Sequence, residues 1–77
     1  MLLFLMKILL LEDEAMLRSS VKEFLEAKKC KVTDFYDGAE ALDSFRENSF
    51  DALVVDINVP TLNGYELLEE VRKKDKN

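Results

Sequence analysis

Three short apolar runs, separated by stretches with helical periodicity, constrain this chain more than any other feature. The first is Lys7-Ile8-Leu9-Leu10-Leu11, read as a strand from Met6 to Leu11 and ended by Glu12-Asp13-Glu14. A run that is apolar on both alternating faces is what a strand inside a parallel sheet needs, because helices cover both its sides. Ala15 to Lys28 follows with helical spacing: Leu17, Val21, Phe24, Leu25 and the methylene stem of Lys28 share one face. Lys31 to Tyr36 is a second strand, with β-branched Val32 and Thr33 and aromatic Phe35 and Tyr36. Its mixed polarity places it at a sheet edge. Asp37-Gly38 reads as a turn, with Asp37 capping the next helix and Glu40 placed to complete a capping box. That helix runs to Asn48 with Ala41, Leu42 and Phe45 inward.

The third strand reads from Phe50 to Val59. Ala52-Leu53-Val54-Val55 is unbroken, Asp56 follows, and Pro60 closes the strand because proline cannot donate to a ladder. Asn63-Gly64 is a turn and cap signal with Glu66 three residues on, opening a last helix to Lys74 that turns Leu67, Leu68 and Val71 inward. Its cationic end, Arg72-Lys73-Lys74, suits the negative pole of a helix. The order β-α-β-α-β-α implies right-handed crossovers and a parallel sheet. No repeat, linker or low-complexity stretch divides the chain. It reads as one folding unit over residues 1–77, with residues 1–5 an extension if the natural start is Met6.

Composition narrows the function classes. With 77 residues there is room for one small domain, and 2 Gly and 1 Pro are too few for a disordered or fibrous chain. A net charge of −5 argues against a nucleic-acid surface, which needs a basic patch, and suits a protein that holds a divalent cation. There is 1 cysteine and no histidine, so neither an internal disulfide nor a zinc site is expected. A reduced, cytoplasmic setting follows, with Cys30 a small apolar filler. Residues 1–11 lack the charge and cleavage pattern of a signal peptide and are too few to span a bilayer as a helix, so no membrane contact is expected.

The chemistry lies in where the acids fall. Glu12 and Asp13 end the first strand and Asp56 lies near the end of the third. Open parallel sheets bind ligands in the crevice outside the carboxyl ends of their strands. If those two strands are neighbours, three carboxylates converge there. Carboxylates held close repel one another, and a hard, oxygen-preferring cation such as Mg²⁺ relieves this. One carboxylate can then attack phosphorus while the metal neutralises developing charge. Read from residue types alone, solvated loop acids and a cation site stand level.

Four ordered blocks decide between them. Lys7-Ile8-Leu9-Leu10-Leu11-Glu12-Asp13-Glu14, Tyr36-Asp37-Gly38-Ala39-Glu40-Ala41-Leu42, Asp51-Ala52-Leu53-Val54-Val55-Asp56-Ile57-Asn58-Val59-Pro60 and Asn63-Gly64-Tyr65-Glu66-Leu67-Leu68 resemble the receiver domain of two-component response regulators. The Glu-Asp order of the acidic pair is similar to receivers of transcription-factor regulators. The resemblance covers nearly all of the chain after Leu5. It implies an α/β, truncated flavodoxin-like fold: a three-stranded parallel sheet in the order 2-1-3 with three helices. It implies that Asp56 accepts a phosphoryl group from a sensor histidine kinase. Mg²⁺ would be ligated by Asp13, Asp56 and the Asn58 backbone carbonyl, with Glu12 acting through water. Pro60 and Gly64 would form turns. The first helix would dock the kinase; Arg18 and Lys22 belong either to that contact or to a solvated helix face.

The receiver family has five βα units, and the chain stops after three. The fourth strand with its switch hydroxyl, the fifth strand with its aromatic residue, the phosphate-pairing lysine and the usual dimerising helices are not in this sequence. Strand three becomes an edge, so a marginal monomer and self-association through that edge are expected. Phosphorylation should be slow, with Mg²⁺-dependent self-phosphorylation the most that an otherwise non-enzymatic protein would show. Lys29-Cys30 stands where receivers often carry a turn glycine, so the first helix is expected to end less sharply. Two other readings compete. One is a self-associating structural half-domain without signalling. The other is a Mg²⁺-dependent phosphatase with an aspartate nucleophile, disfavoured because the position two residues after the nucleophile is Asn58, which cannot serve as the general acid.

Overall fold

A computed structural model describes residues 5–59 and 61–74. The elements are β1 (Lys7–Leu11), α1 (Ala15–Ala27), β2 (Lys31–Phe35), α2 (Gly38–Glu47), β3 (Ala52–Val55) and α3 (Gly64–Lys74). The three strands form one parallel sheet in the order β2-β1-β3, as the resemblance implied. In register, Leu11 of β1 lies beside Phe35 of β2 and Val55 of β3, so all three strands end level.

β1 is the central strand, and helices cover both of its faces. Leu9 and Leu11 face α2 and α3, where they meet Ala41, Phe45 and Val59. Ile8 and Leu10 face α1, where they meet Cys30 and Val32. Leu10 and Leu11 are fully buried, and each such side chain contributes about 1.5–3 kcal/mol. Cys30 is buried in the α1-side cluster, as a filler would be. No helix among the described residues is long and apolar enough to cross a membrane.

Four expectations need correction. First, β3 is shorter than Phe50–Val59. Its ladder partner β1 stops at Leu11, and the Asp56 N–H makes the last bond, to Leu11 O at 2.9 Å. Beyond it the Asp56 carboxylate accepts from Asn58 N at 2.9 Å and its carbonyl from Val59 N, which turns the chain. Val59 is therefore a buried loop residue, and Pro60 lies outside the described residues. Second, Asp37-Gly38 is not a separate turn: Gly38 is the first residue of α2, and no described glycine has a positive φ. The Asp37 side chain caps α2 by accepting from Ala39 N at 2.8 Å, but the Glu40 bond of a capping box is not formed among the described residues. Third, Leu17 and Phe24 are 49% and 62% exposed. α1 leans on β2 and β1, with Val21 and Leu25 on the core, so its stripe is rolled toward β2. In α3, likewise, Val71 reaches the core but Leu68 is 45% exposed, because that helix packs against α2.

Fourth, α1 ends sharply without glycine. Lys29 takes φ 67, the left-handed conformation. Lys29 N donates to Glu26 O at 3.0 Å and Cys30 N to Leu25 O at 3.1 Å, while Cys30 packs beside Leu25. These are the two bonds and the apolar contact of a Schellman motif, with lysine in the glycine position. The cationic end of α3 has an added use: Lys74 Nζ donates to the Phe45 and Asn48 carbonyls at the end of α2 and lies 4.6 Å above the Phe45 ring.

Candidate metal centre at the carboxyl end of the sheet

Because β1 and β3 are neighbours that end level, Glu12, Asp13 and Asp56 emerge side by side. One carboxylate oxygen from each lies within 4.8 Å of the others. Glu12 and Asp56 are half-buried and Asp13 is exposed. The Asp56 backbone is fixed by its ladder bond to Leu11, and its Oδ1 by Asn58 N.

The loop carrying the other two acids is held just as closely. Glu12 N donates to Phe35 O at 3.0 Å, and Glu12 Oε2 accepts from Glu14 N at 3.0 Å. Glu14 caps α1, accepting from Met16 N and from Leu17 N at 2.6 Å. Arg18 Nη1 donates to the Glu12 carbonyl at 2.9 Å. Its Nε pairs with Asp34 Oδ2 at 3.3 Å, and the guanidinium lies 5.7 Å from the Tyr36 ring centre. Lys22 Nζ meets the same Asp34 at 3.0 Å. Arg18 and Lys22 are thus turned onto β2. The Lys22 hydrogen bond holds the Asp34 carboxyl below its usual range, and Asp34 in turn raises Lys22.

Thr61 is a second contributor that the sequence did not single out. Its hydroxyl donates to Asp37 Oδ1 at 2.7 Å and accepts from Gly38 N at 2.6 Å. This ties the segment after Asp56 to the start of α2 and lowers the Asp37 pKa, Thr61 being the main cause. Its partner lies 24 residues away, so no local pattern could reveal it. The Asn63 cap was legible: Glu66 N donates to Asn63 Oδ1 at 3.1 Å.

The donors fit a hard divalent cation. All are carboxylate oxygens, and two ligands on opposite sides of one Mg²⁺ lie about 4.2 Å apart. One oxygen from each of the three acids lies within 4.8 Å of the others, close to that scale.

Residues 8–77 match the family described as the response regulator receiver domain. The chain is 38% identical over 69 residues to Regulatory protein VanRB of Enterococcus faecalis, covering 90% of this chain and 31% of that protein. It is 39% identical over 66 residues to the transcriptional regulatory protein CrdR of Helicobacter pylori, covering 86% and 31%. Among solved structures, the non-phosphorylated HemR receiver domain of Leptospira biflexa superposes with a TM-score of 0.79 at 39% identity, over 92% of this chain and 57% of that one. TrrA of Thermotoga maritima, solved in complex with Mg²⁺-BeF, gives 0.78 at 34% identity, over 91% and 61%. The chain therefore spans about a third of the curated relatives and about three fifths of these receiver structures.

Proposed function

The chain belongs to the response-regulator receiver family, and from that premise we propose that Asp56 accepts a phosphoryl group from the phosphohistidine of a sensor histidine kinase. The observation that carries this reading is the convergence of Glu12, Asp13 and Asp56 within 4.8 Å at the carboxyl end of the sheet. Asp13 and Asp56, with the Asn58 backbone carbonyl, would hold Mg²⁺, and Glu12 would act through water. Bound there, Mg²⁺ supplies neutralisation of the charge on the transferring phosphoryl oxygens.

The chain's own residues do the rest. Asn58 N holds Asp56 Oδ1, which orients the carboxylate and leaves Oδ2 to attack. A bond forms from Oδ2 to phosphorus, the P–N bond to the donor imidazole breaks, and the imidazole, already protonated on its other ring nitrogen, leaves as the neutral ring. The product is an acyl phosphate, a mixed anhydride.

Acetyl phosphate with MgCl₂, followed by intact mass, tests the proposal. Wild type should gain one phosphoryl group, and Asp56→Asn or added EDTA should abolish the gain. Equal gain by Asp56→Asn would refute Asp56 as the acceptor.

One observation favours a second reading. The outer edge of β3 is unpaired among the described residues, and Val54 on it is 41% exposed. Such an edge recruits another strand. In this reading two copies pair through β3 and the chain is a self-associating structural unit that takes up no phosphoryl group. Light scattering at micromolar concentration addresses it, and a well-folded monomer would sink it.

A further inference from the structure

We propose that Arg18 is the positioning residue of the acidic site, holding the Glu12–Asp13 peptide in place by clamping it to β2. The inference rests on the reading of that cluster as a cation site. Glu12 and Asp13 flank a single planar peptide unit, so any rotation of its carbonyl swings both side chains at once. Arg18 Nη1 donates to that carbonyl at 2.9 Å. Burial does little to hold the loop, since Asp13 and Glu14 are exposed.

Arg18 is itself immobilised from two other sides. Asp34 Oδ2 accepts from Nε at 3.3 Å, and the Tyr36 ring lies 5.7 Å from the guanidinium carbon. Asp34 lies in β2 and Tyr36 directly follows it, and the Phe35 carbonyl between them binds the Glu12 N–H. The loop is thus gripped through its N–H by the β2 backbone and through its C=O by a side chain anchored on β2. A planar fork is needed to reach two acceptors in fixed directions, which a lysine ammonium cannot match. Lys22 supplies the contrast: it shares Asp34 but makes no hydrogen bond to the loop.

The charge of Arg18 and its geometry predict opposite effects. If only its positive charge mattered, removing it would strengthen binding of a cation nearby. If it positions the carboxylates, removing it weakens binding. MgCl₂ alone is the probe, titrated into the full chain and followed by amide NMR shifts, at a temperature where circular dichroism shows each variant folded. Relative to wild type, Arg18→Ala should bind Mg²⁺ about tenfold more weakly, as loss of a metal site's supporting contact typically does. Arg18→Lys keeps the charge and most of the stem, and should weaken binding in the same direction; it carries the test if Arg18→Ala does not fold. Lys22→Ala should shift affinity by less than about twofold, since Lys22 does not touch the loop and Arg18 keeps its own bond to Asp34. Mg²⁺ binding by the arginine variants as tight as wild type, or tighter, overturns the positioning role and leaves the cation site standing. No binding by wild type overturns both.

Discussion

Replacing glycine by alanine in a helix ordinarily stabilises it, yet Gly38→Ala should destabilise this protein. A Cβ at Gly38 would lie 2.7 Å from both Leu62 Cα and Leu62 N, and 2.9 Å from Leu62 Cβ. Carbon atoms in contact sit about 3.5–4.0 Å apart, so the Leu62 backbone must move by roughly 1 Å. That backbone cannot yield freely: Leu62 N is bonded to Val59 O at 3.1 Å, and Thr61 just before it bridges Gly38 N and Asp37. Overpacking of this kind costs about 1–3 kcal/mol, and loosening one of the Thr61 bonds adds about 1. Helix propensity returns at most about 1 kcal/mol. The net loss is about 1–3 kcal/mol, a roughly five- to hundredfold fall in the folding equilibrium. A domain of this size has about 3–5 kcal/mol in total, so the effect is large. Urea unfolding followed by circular dichroism measures it. Gly64→Ala is the control: that site has no atom within 4 Å and no positive φ, so it should gain about 0.5–1 kcal/mol. A Gly38→Ala protein within about 0.5 kcal/mol of wild type would refute the close-approach reasoning.

Three further outcomes are expected. Lys29→Gly should raise stability by about 0.5–1 kcal/mol, because lysine there occupies a left-handed conformation that glycine adopts without cost; an unchanged urea midpoint would show that the strain is absent. Leu10→Ala should cost about 2–5 kcal/mol, since Leu10 is fully buried between β1's neighbours and α1, and a loss under about 1 would mean that the site collapses around the gap. Asp34 is held below its usual value of 3.8 by Lys22, so its contribution is complete above that value and disappears as pH falls through the lower folded value. Lys22 is raised above 10.5, so the same pair is lost again as pH rises through the raised value. The stability gap between wild type and Asp34→Asn should therefore be a plateau between those limits, close at the acid end and narrow at the alkaline end, where Arg18 still pairs with Asp34; a gap independent of pH would refute the pairing.

The acidic site was legible because it depends on strand ends, and strand ends are marked locally. Leu11 gives way to Glu12 and Val55 to Asp56 where apolar runs stop. Alternation with helices makes the sheet parallel, but that β1 and β3 are neighbours, and so that the three acids converge, follows from the family resemblance, since β3 is as apolar on both faces as β1. The sequence reads as a strand over Phe50–Val59 because apolar Ile57 and Val59 look like strand continuation. Nothing local shows that the ladder partner has already ended at Leu11 or that Asp56 spends its own carboxylate on the turn. Which part of each helix face is buried is hidden from the sequence for a related cause. Periodicity gives the stripe, but which part of it is covered depends on the roll of α1 toward β2, and Arg18 and Lys22 on Asp34 accompany that roll.

The family resemblance implied the central place of β1; the local sequence by itself determined the element order, the caps at Asp37 and Asn63 and the acids that end β1 and β3. Each of the latter follows from a pattern within a few residues. Only the tertiary structure decided that Arg18 grips the Glu12 carbonyl, that Thr61 joins the segment after Asp56 to α2, that Gly38 is required by Leu62, and that Lys29 closes α1 without a glycine. The first three are meetings of groups 6 to 24 residues apart, set by how loops fall across one another once the sheet has formed. The last is a strained conformation that surrounding hydrogen bonds impose on a residue whose own preference points elsewhere.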